Sequence, residues 1–262
     1  MARGDLTVPD GCEQGATIGR MTTRPLPSHP SLPEPRARLA ELQAVIFDLD
    51  GTLIDTVELI RVSFRHATKT VLGEALPDEI TMANVGQPLT TQFQDMAPGH
   101  ATELLKAYRE FNRSHHDEIA RAYPGTIETL AELERRGVPM GIVTSKGTES
   151  ATRGIEHFGL ARFMSAIVTA DDVLLHKPDP HPLCVAAERM GVELGYCIYL
   201  GDSPHDVQAA LSGGAVAVAA LWGAFSASDV LAPGPAFALG SITELPALLD
   251  GDVERFAVRG SV

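Results

Sequence analysis

Asp48 and Asp50 stand two residues apart at the end of the apolar run Ala44-Val45-Ile46-Phe47, and Gly51-Thr52 follow them. Carboxylates at the mouth of a buried strand are costly. An unpaired buried charge costs on the order of several kcal/mol or shifts its pKa. A cation would hold both ionised, and Mg²⁺, which takes oxygen ligands and keeps several waters, suits such a pair. Three more polar groups close later apolar runs. Thr144-Ser145 follow Pro139–Val143, His176-Lys177-Pro178-Asp179-Pro180 comes after Ala166–Val168, and Gly201-Asp202-Ser203-Pro204-His205-Asp206 follows Cys197–Leu200. Carboxylates, hydroxyls, one ammonium and turn amides fit phosphoryl transfer, where positioning and charge neutralisation do most of the work.

These groups act together only if the elements bring them to one rim. The runs named above, with Ala215–Ala219, are too short for helices and are bounded by Gly, Pro or polar turns, as buried parallel strands are. Between them lie amphipathic helical patterns. In Thr126–Arg135, Ile127, Leu130, Ala131 and Leu133 share a face and Gly137 stops the helix; Asp206–Ser212 ends at Gly213-Gly214. This alternation predicts an α/β fold, a doubly wound parallel sheet with right-handed crossovers. Ligands of such sheets bind at the carboxyl ends of the strands.

One interval breaks the rhythm. Between Thr56 and Tyr123 there is no convincing strand, only helical patterns such as Thr102–Phe111, divided by Pro77, Pro88 and Pro98. A connection that long is expected to be a unit of its own. The expected layout is a catalytic core over 41–58 and 121–250, with a small helical cap inserted at 59–120 and Tyr123-Pro124-Gly125 as its return hinge. Residues 1–40 crowd Pro25, Pro27, Pro30, Pro33 and Pro35 among Ser, Arg and Gly and predict a disordered extension. Residues 251–262 are expected to be a tail. Met21 is a candidate start, testable by intact mass. Arg3-Gly4-Asp5 looks like an adhesion tripeptide but reads as chance in a cytoplasmic tail.

Composition narrows the partners. With 44% hydrophobic and 21% charged residues, 262 residues can bury a sizeable core. A net charge of −13 without a Lys/Arg run argues against nucleic acid, although local cations still decide whether an anionic substrate binds. No apolar run reaches the roughly 18 residues of a membrane span. Cys12, Cys184 and Cys197 fit neither a disulfide framework nor a zinc motif, so a cytoplasmic protein, monomer or homodimer, is expected.

Asp48-Leu49-Asp50-Gly51-Thr52, then Thr144, then Lys177, then Gly201-Asp202 with Asp206, resembles the haloacid dehalogenase superfamily in its phosphatase branch, over roughly Ala44 to Leu249. The insertion directly after the first element is similar to that family's helical cap. The resemblance implies a Mg²⁺-dependent phosphatase of small phosphorylated metabolites. Asp48 would be the nucleophile that forms an aspartyl-phosphate, and Asp50 the general acid and then base. Thr144 would hold a phosphoryl oxygen, and Lys177 would neutralise the nucleophile and the transferring group. The metal would be held by Asp48, Asp202 and the backbone carbonyl of Asp50, with Asp206 ligating or orienting its waters. Gly51 would let the backbone approach the phosphate. Amides near Ser145 would add donors, and Gly86, in Gly86-Gln87-Pro88-Leu89, would face the site from the cap.

Plainer readings stand beside these. Asp-X-Asp also makes Asx turns, Lys177 also reads as a surface lysine, and Thr144 and Ser145 also read as helix caps. Phe111–Glu118 resembles a stretch in family members that are inorganic pyrophosphatases, yet His115 and His116 also read as a solvated face, since adjacent helix positions point about 100° apart. Phosphoglycolate and inorganic pyrophosphate are the leading substrates. Arg65 and Arg109 are both open as substrate contacts, and Trp222 reads as packing on the core edge. The alternatives are a β-phosphoglucomutase-like phosphomutase and a non-catalytic phosphate-binding protein.

Overall fold

The computed structural model describes residues 32–258. Six parallel strands form one sheet in the order β5-β4-β1-β6-β7-β8: β1 (Ala44–Phe47), β4 (Met140–Val143), β5 (Ala166–Val168), β6 (Cys197–Gly201), β7 (Val216–Ala220) and β8 (Phe237–Leu239). Parallel pairing sets Phe47 beside both Ile142 and Leu200, so the residues after β1, β4 and β6 leave the sheet side by side. Side chains alternate between faces with period two. Val45 and Phe47 enter one apolar core with Ile142 and Leu200, while Ala44 and Ile46 enter a second with Val143 and Tyr199. Both faces are therefore covered, which is why the strands are uniformly apolar.

The first core is closed by α6 (Thr126–Arg135) and α7 (Thr148–His157), and the second by α8 (His181–Met190), α9 (Pro204–Gly213) and α10 (Ala227–Leu231). The insertion holds α2 (Val57–Leu72), α3 (Asp78–Thr81), α4 (Leu89–Met96) and α5 (Ala101–Ile119). Its helices bury an apolar cluster of their own, in which Phe64 meets Phe93 and Tyr108 edge-on at centroid distances of 5.3 and 4.9 Å. The chain enters and leaves through a two-stranded antiparallel ribbon, β2 (Ile54–Asp55) against β3 (Arg121–Ala122).

Several elements depart from the layout expected of the sequence. β3 lies inside the interval read as strand-free: two residues are too few to show alternation. β8 is three residues between Pro235 and Gly240. Residues 1–31 lie outside the described residues, but the expected disordered extension to residue 40 overshoots. α1 (Pro35–Leu39) buries Leu39 in the first core, and the Arg38 guanidinium donates to the carbonyls of Gly195 (2.8 Å) and Gly214 (2.6 Å). The expected tail also joins the core. After α11 (Leu245–Leu249), α12 (Val253–Phe256) buries Val253 and Phe256, an i,i+3 apolar pair legible in the sequence. Trp222 packs on the first core as expected, and its indole N–H donates to the Thr52 carbonyl at 3.1 Å. No helix among the described residues is long and apolar enough to cross a membrane.

Candidate active site

The strand ends bring Asp48, Thr144, Lys177, Asp202 and Asp206 to one rim, all of them buried. Asp48 leaves β1 with its N–H donating to the Leu200 carbonyl (2.9 Å), and Thr144 leaves β4 with its N–H donating to the Val168 carbonyl (2.9 Å). Ladder bonds thus carry the sheet register into the site. Lys177 Nζ lies 2.9 Å from Asp48 Oδ1 and 2.6 Å from Asp206 Oδ1. One carboxylate oxygen from each of Asp48, Asp202 and Asp206 can be chosen so that all lie within 4.8 Å of one another.

Three carboxylates against one ammonium leave two negative charges uncompensated in a dry place. The titrations reflect this. Burial, with Lys177 opposing and Asp206 adding repulsion, pushes Asp48 up to about 7. Burial and the Asp206 and Asp48 charges raise Asp202 well above the carboxylate range, against the Ala224 N–H and Lys177. Lys177 goes the other way: burial would lower it, but Asp206 and Asp48 outweigh burial and hold it charged. Burial would raise Asp206 too, yet Lys177 and its hydrogen bonds bring it below its ordinary value. The donor set is all oxygen, and its charge deficit is that of one divalent cation. These residues fit a hard metal ion.

Asp206 and Asp50 are each engaged by neighbouring groups. Asp206 Oδ1 accepts from Lys177 and from Tyr199 Oη (3.0 Å), and Oδ2 accepts from the Ser203 N–H (3.0 Å) and hydroxyl (2.6 Å). With both oxygens doubly engaged, Asp206 has no lone pair left for a metal, so direct ligation gives way to a bracing role. Asp50 turns its side chain away from the cluster. Its Oδ1 accepts from Thr56 Oγ1 (2.6 Å) and Lys146 Nζ (2.7 Å), and Oδ2 makes no hydrogen bond among the described residues.

Gly51 has a packing reason beside the phosphate approach expected of it. Its φ is +80°, and a Cβ there would lie 2.2 Å from Asp202 Oδ2. Gly223 stands against the same carboxylate, where a Cβ would come within 2.1 Å. The glycines make room for Asp202, which accepts from the Ala224 N–H (2.7 Å) and Thr52 Oγ1 (3.3 Å). The Ser145 hydroxyl donates to the Gly86 carbonyl in the insertion at 2.5 Å, so it ties insertion to core while the residue lines the cavity. Thr144 Oγ1 accepts from the Lys146 N–H (3.2 Å), which leaves the hydroxyl proton free to donate.

A cavity of about 440 Å³ lies between rim and insertion, lined by Asp48, Asp50, Thr144 and Asp202 on one side and by Gly86, Tyr108 and Arg109 on the other. Arg65, offered as a contact by the sequence, pairs instead with Asp78 at 3.6 Å and does not line it. His116 is buried rather than solvated; its Nδ1 lies 2.8 Å from Asp117 Oδ1. His115 stacks on Phe111. Lys146 and Thr56 were missed, although a lysine directly after the strand-end hydroxyls of an acid-rich rim was a readable signal.

Known proteins match this chain over the whole of that rim. A family model described as haloacid dehalogenase-like hydrolase matches residues 45–220. Pyrophosphatase PpaX of Bacillus velezensis is 35% identical over 202 residues, covering 77% of this chain and 94% of its own length. Pyrophosphatase PpaX of Halalkalibacterium halodurans is 39% identical over 167 residues, covering 64% and 78%. Among solved structures, a hydrolase from Pseudomonas syringae superposes with a TM-score of 0.73 at 25% identity, covering 80% of this chain and 99% of its own.

Proposed function

The chain belongs to the haloacid dehalogenase-like hydrolases, and within that family, as a phosphatase, we propose that it is a Mg²⁺-dependent hydrolase of small phosphorylated metabolites. It acts through an aspartyl-phosphate on Asp48, with inorganic pyrophosphate or phosphoglycolate as substrate. The observation that carries this reading is the charge deficit at the rim: Asp48 and Asp202 line the cavity, Asp206 stands behind them, and only Lys177 offsets the three. Names of relatives as pyrophosphatases support the first substrate.

Mg²⁺, held by Asp48, Asp202 and the Asp50 backbone carbonyl, would offset repulsion between the rim and an anionic phosphoryl group. An Asp48 oxygen attacks phosphorus while the bond to the leaving oxygen breaks. Asp50 delivers a proton from Oδ2 to that oxygen, its Oδ1 being pinned by Thr56 and Lys146. Water then attacks the aspartyl-phosphate; Asp50 takes its proton, and phosphate leaves with Asp48 regenerated. Thr144 donates to a phosphoryl oxygen, and Lys177 keeps Asp48 ionised and aimed. Asp206 acts through Lys177. The insertion serves as a cap that excludes water from the acyl-phosphate.

The test is phosphate release from pyrophosphate and phosphoglycolate, with acid-trapping of labelled enzyme. EDTA should stop turnover and Mg²⁺ restore it, and label should be trapped in the native enzyme and absent from Asp48→Asn. Metal-independent release, or label retained in Asp48→Asn, rules the mechanism out.

A further inference from the structure

Among the described residues the insertion contributes one charged group to the cavity lining, Arg109, and its other arginines nearby are paired. Arg61 pairs with Glu58 and Asp78, Arg65 with Asp78, and Arg113 with Glu149. On the core side Lys146 is taken by Asp50, and Lys177 by Asp48 and Asp206. Arg109 lines the cavity and makes no ion pair or hydrogen bond among the described residues. Of the other lining acids, Glu149 is held by Arg113 and Asp171 accepts from the Thr148 N–H.

The residue beside it has an open polar atom as well. The Tyr108 ring is fixed edge-on against Phe64 (4.9 Å) and Phe93 (5.9 Å), and the residue is only 7% exposed. Tyr108 lines the cavity, yet its hydroxyl makes no hydrogen bond among the described residues. Burial, with the Asp50 charge added, raises its pKa, so the hydroxyl keeps its proton and can only be useful there as a donor or neutral acceptor. With no partner within the described residues, the hydroxyl is open to whatever occupies the cavity.

We propose that Arg109 and Tyr108 form a subsite for the end of the substrate remote from the transferred phosphoryl group, and that this subsite requires a second anionic group there. The inference rests on the phosphatase reading and deepens it. The rim supplies the cations for the phosphoryl group, so an unpaired guanidinium on the opposite wall has no use for a neutral leaving group. A guanidinium matches carboxylate and phosphate alike by bidentate hydrogen bonding. The shared chemistry is a compact substrate with two anionic ends.

The test is calorimetric binding, at fixed Mg²⁺, of three non-hydrolysable probes: methylenediphosphonate, phosphonoacetate and methylphosphonate. The native protein should bind at least one two-anion probe about 10- to 100-fold more tightly than methylphosphonate, the range a charge-assisted contact supplies. The tighter of the two names phosphate or carboxylate as the second group. Arg109→Gln should bring that preference to within about threefold, and Arg109→Lys should restore part of it. Tyr108→Phe should weaken the preferred probe about three- to tenfold. In parallel, Arg109→Gln should lower kcat/KM for the two-anion substrate as binding falls, and by a clearly larger factor than kcat/KM for p-nitrophenyl phosphate. Equal affinity for all three probes in the native protein, an unchanged preference in Arg109→Gln, or an equal loss on p-nitrophenyl phosphate overturns the proposal. Because binding is read without turnover, a failure of the phosphatase reading leaves this result interpretable.

Discussion

The rim and the wall opposite it are built on different principles. At the rim, Asp48, Lys177, Asp202 and Asp206 are buried and interlocked, and the strand register sets where each one leaves the sheet. The wall rides on helices with a separate aromatic cluster, and Arg109 there is exposed and unpaired. Rim and wall meet through the β2–β3 ribbon and a set of side-chain ties, among them the Ser145–Gly86 hydrogen bond, the Arg113–Glu149 pair and the Arg153–Asp117 pair at 2.8 Å. On the function proposed above, chemistry that tolerates no displacement would sit on the rigid sheet, and recognition on an element whose side chains can change without disturbing it.

Lys177→Met should break the rim most severely. It removes the ammonium from two buried carboxylates and leaves them uncompensated. Breaking a buried pair this way costs about 3–5 kcal/mol, and turnover should fall by about 10³-fold or more, as for a lost transition-state contact. Urea unfolding and single-substrate kinetics measure both. A variant with native stability would mean that Lys177 is not compensating these carboxylates.

Two glycines sharpen the contrast. Gly51→Ala at the rim meets a positive φ and a carboxylate that cannot retreat, because the Ala224 N–H holds it. Gly86→Ala on the wall also has a positive φ (+98°), but its Cβ would meet the Ser203 hydroxyl at 3.1 Å. Backbone strain of about 1–3 kcal/mol is common to both. Turnover should drop about 100-fold or more for the first and less than tenfold for the second. Ser145→Ala should do less again. It removes one hydrogen bond between core and insertion, worth about 1 kcal/mol, and should raise KM about fivefold with kcat little changed.

The same contrast explains what could be read from the sequence. Asp48, Asp50, Thr144 and Asp202 end short apolar runs, and a strand end is a local signal, so their positions were legible; Lys177 stands in the Pro-flanked loop after β5 and was legible from that context. What those residues do to one another was less so. The bracing of Asp206 by Tyr199 comes from a side chain inside β6, and Gly51 needed the position of Asp202 to be understood. On the wall, Arg65 and Arg109 look alike in sequence, and only packing separates them. His116 looked solvated because Asn112 and His116 are polar, yet with Leu104 and Tyr108 they form a buried stripe at four-residue spacing.

His116 also provides the mildest test, at the seam between the two regions. It lies near the end of α5 against α7, and a Cβ on Gly154 would come within 3.3 Å of its Nε2. Its Nδ1 faces Asp117, which also accepts from Arg153 and lies 3.6 Å from His157 Nδ1. Burial lowers its pKa, the Asp117 hydrogen bond offsets this in part, Lys146 lowers it further, and the Asp117 and Asp50 charges raise it. The sign follows from where the protons bind. Below about pH 6.5 the unfolded chain protonates this histidine and the folded chain resists, so stability falls as pH drops from that value towards the lower folded pKa. Above it the group contributes no slope. His176 and His205 are lowered by burial too and add slope of the same sign. His116→Asn should therefore flatten, without abolishing, the loss of stability between pH 7.5 and 5.5, by at most about 1.4 kcal/mol per pH unit. The slope is the readout, because the substitution also changes packing and shifts the whole curve. Parallel curves for the two proteins would show that His116 takes up its proton in the folded state as readily as in the unfolded one, and that the seam between rim and wall is not closed around it.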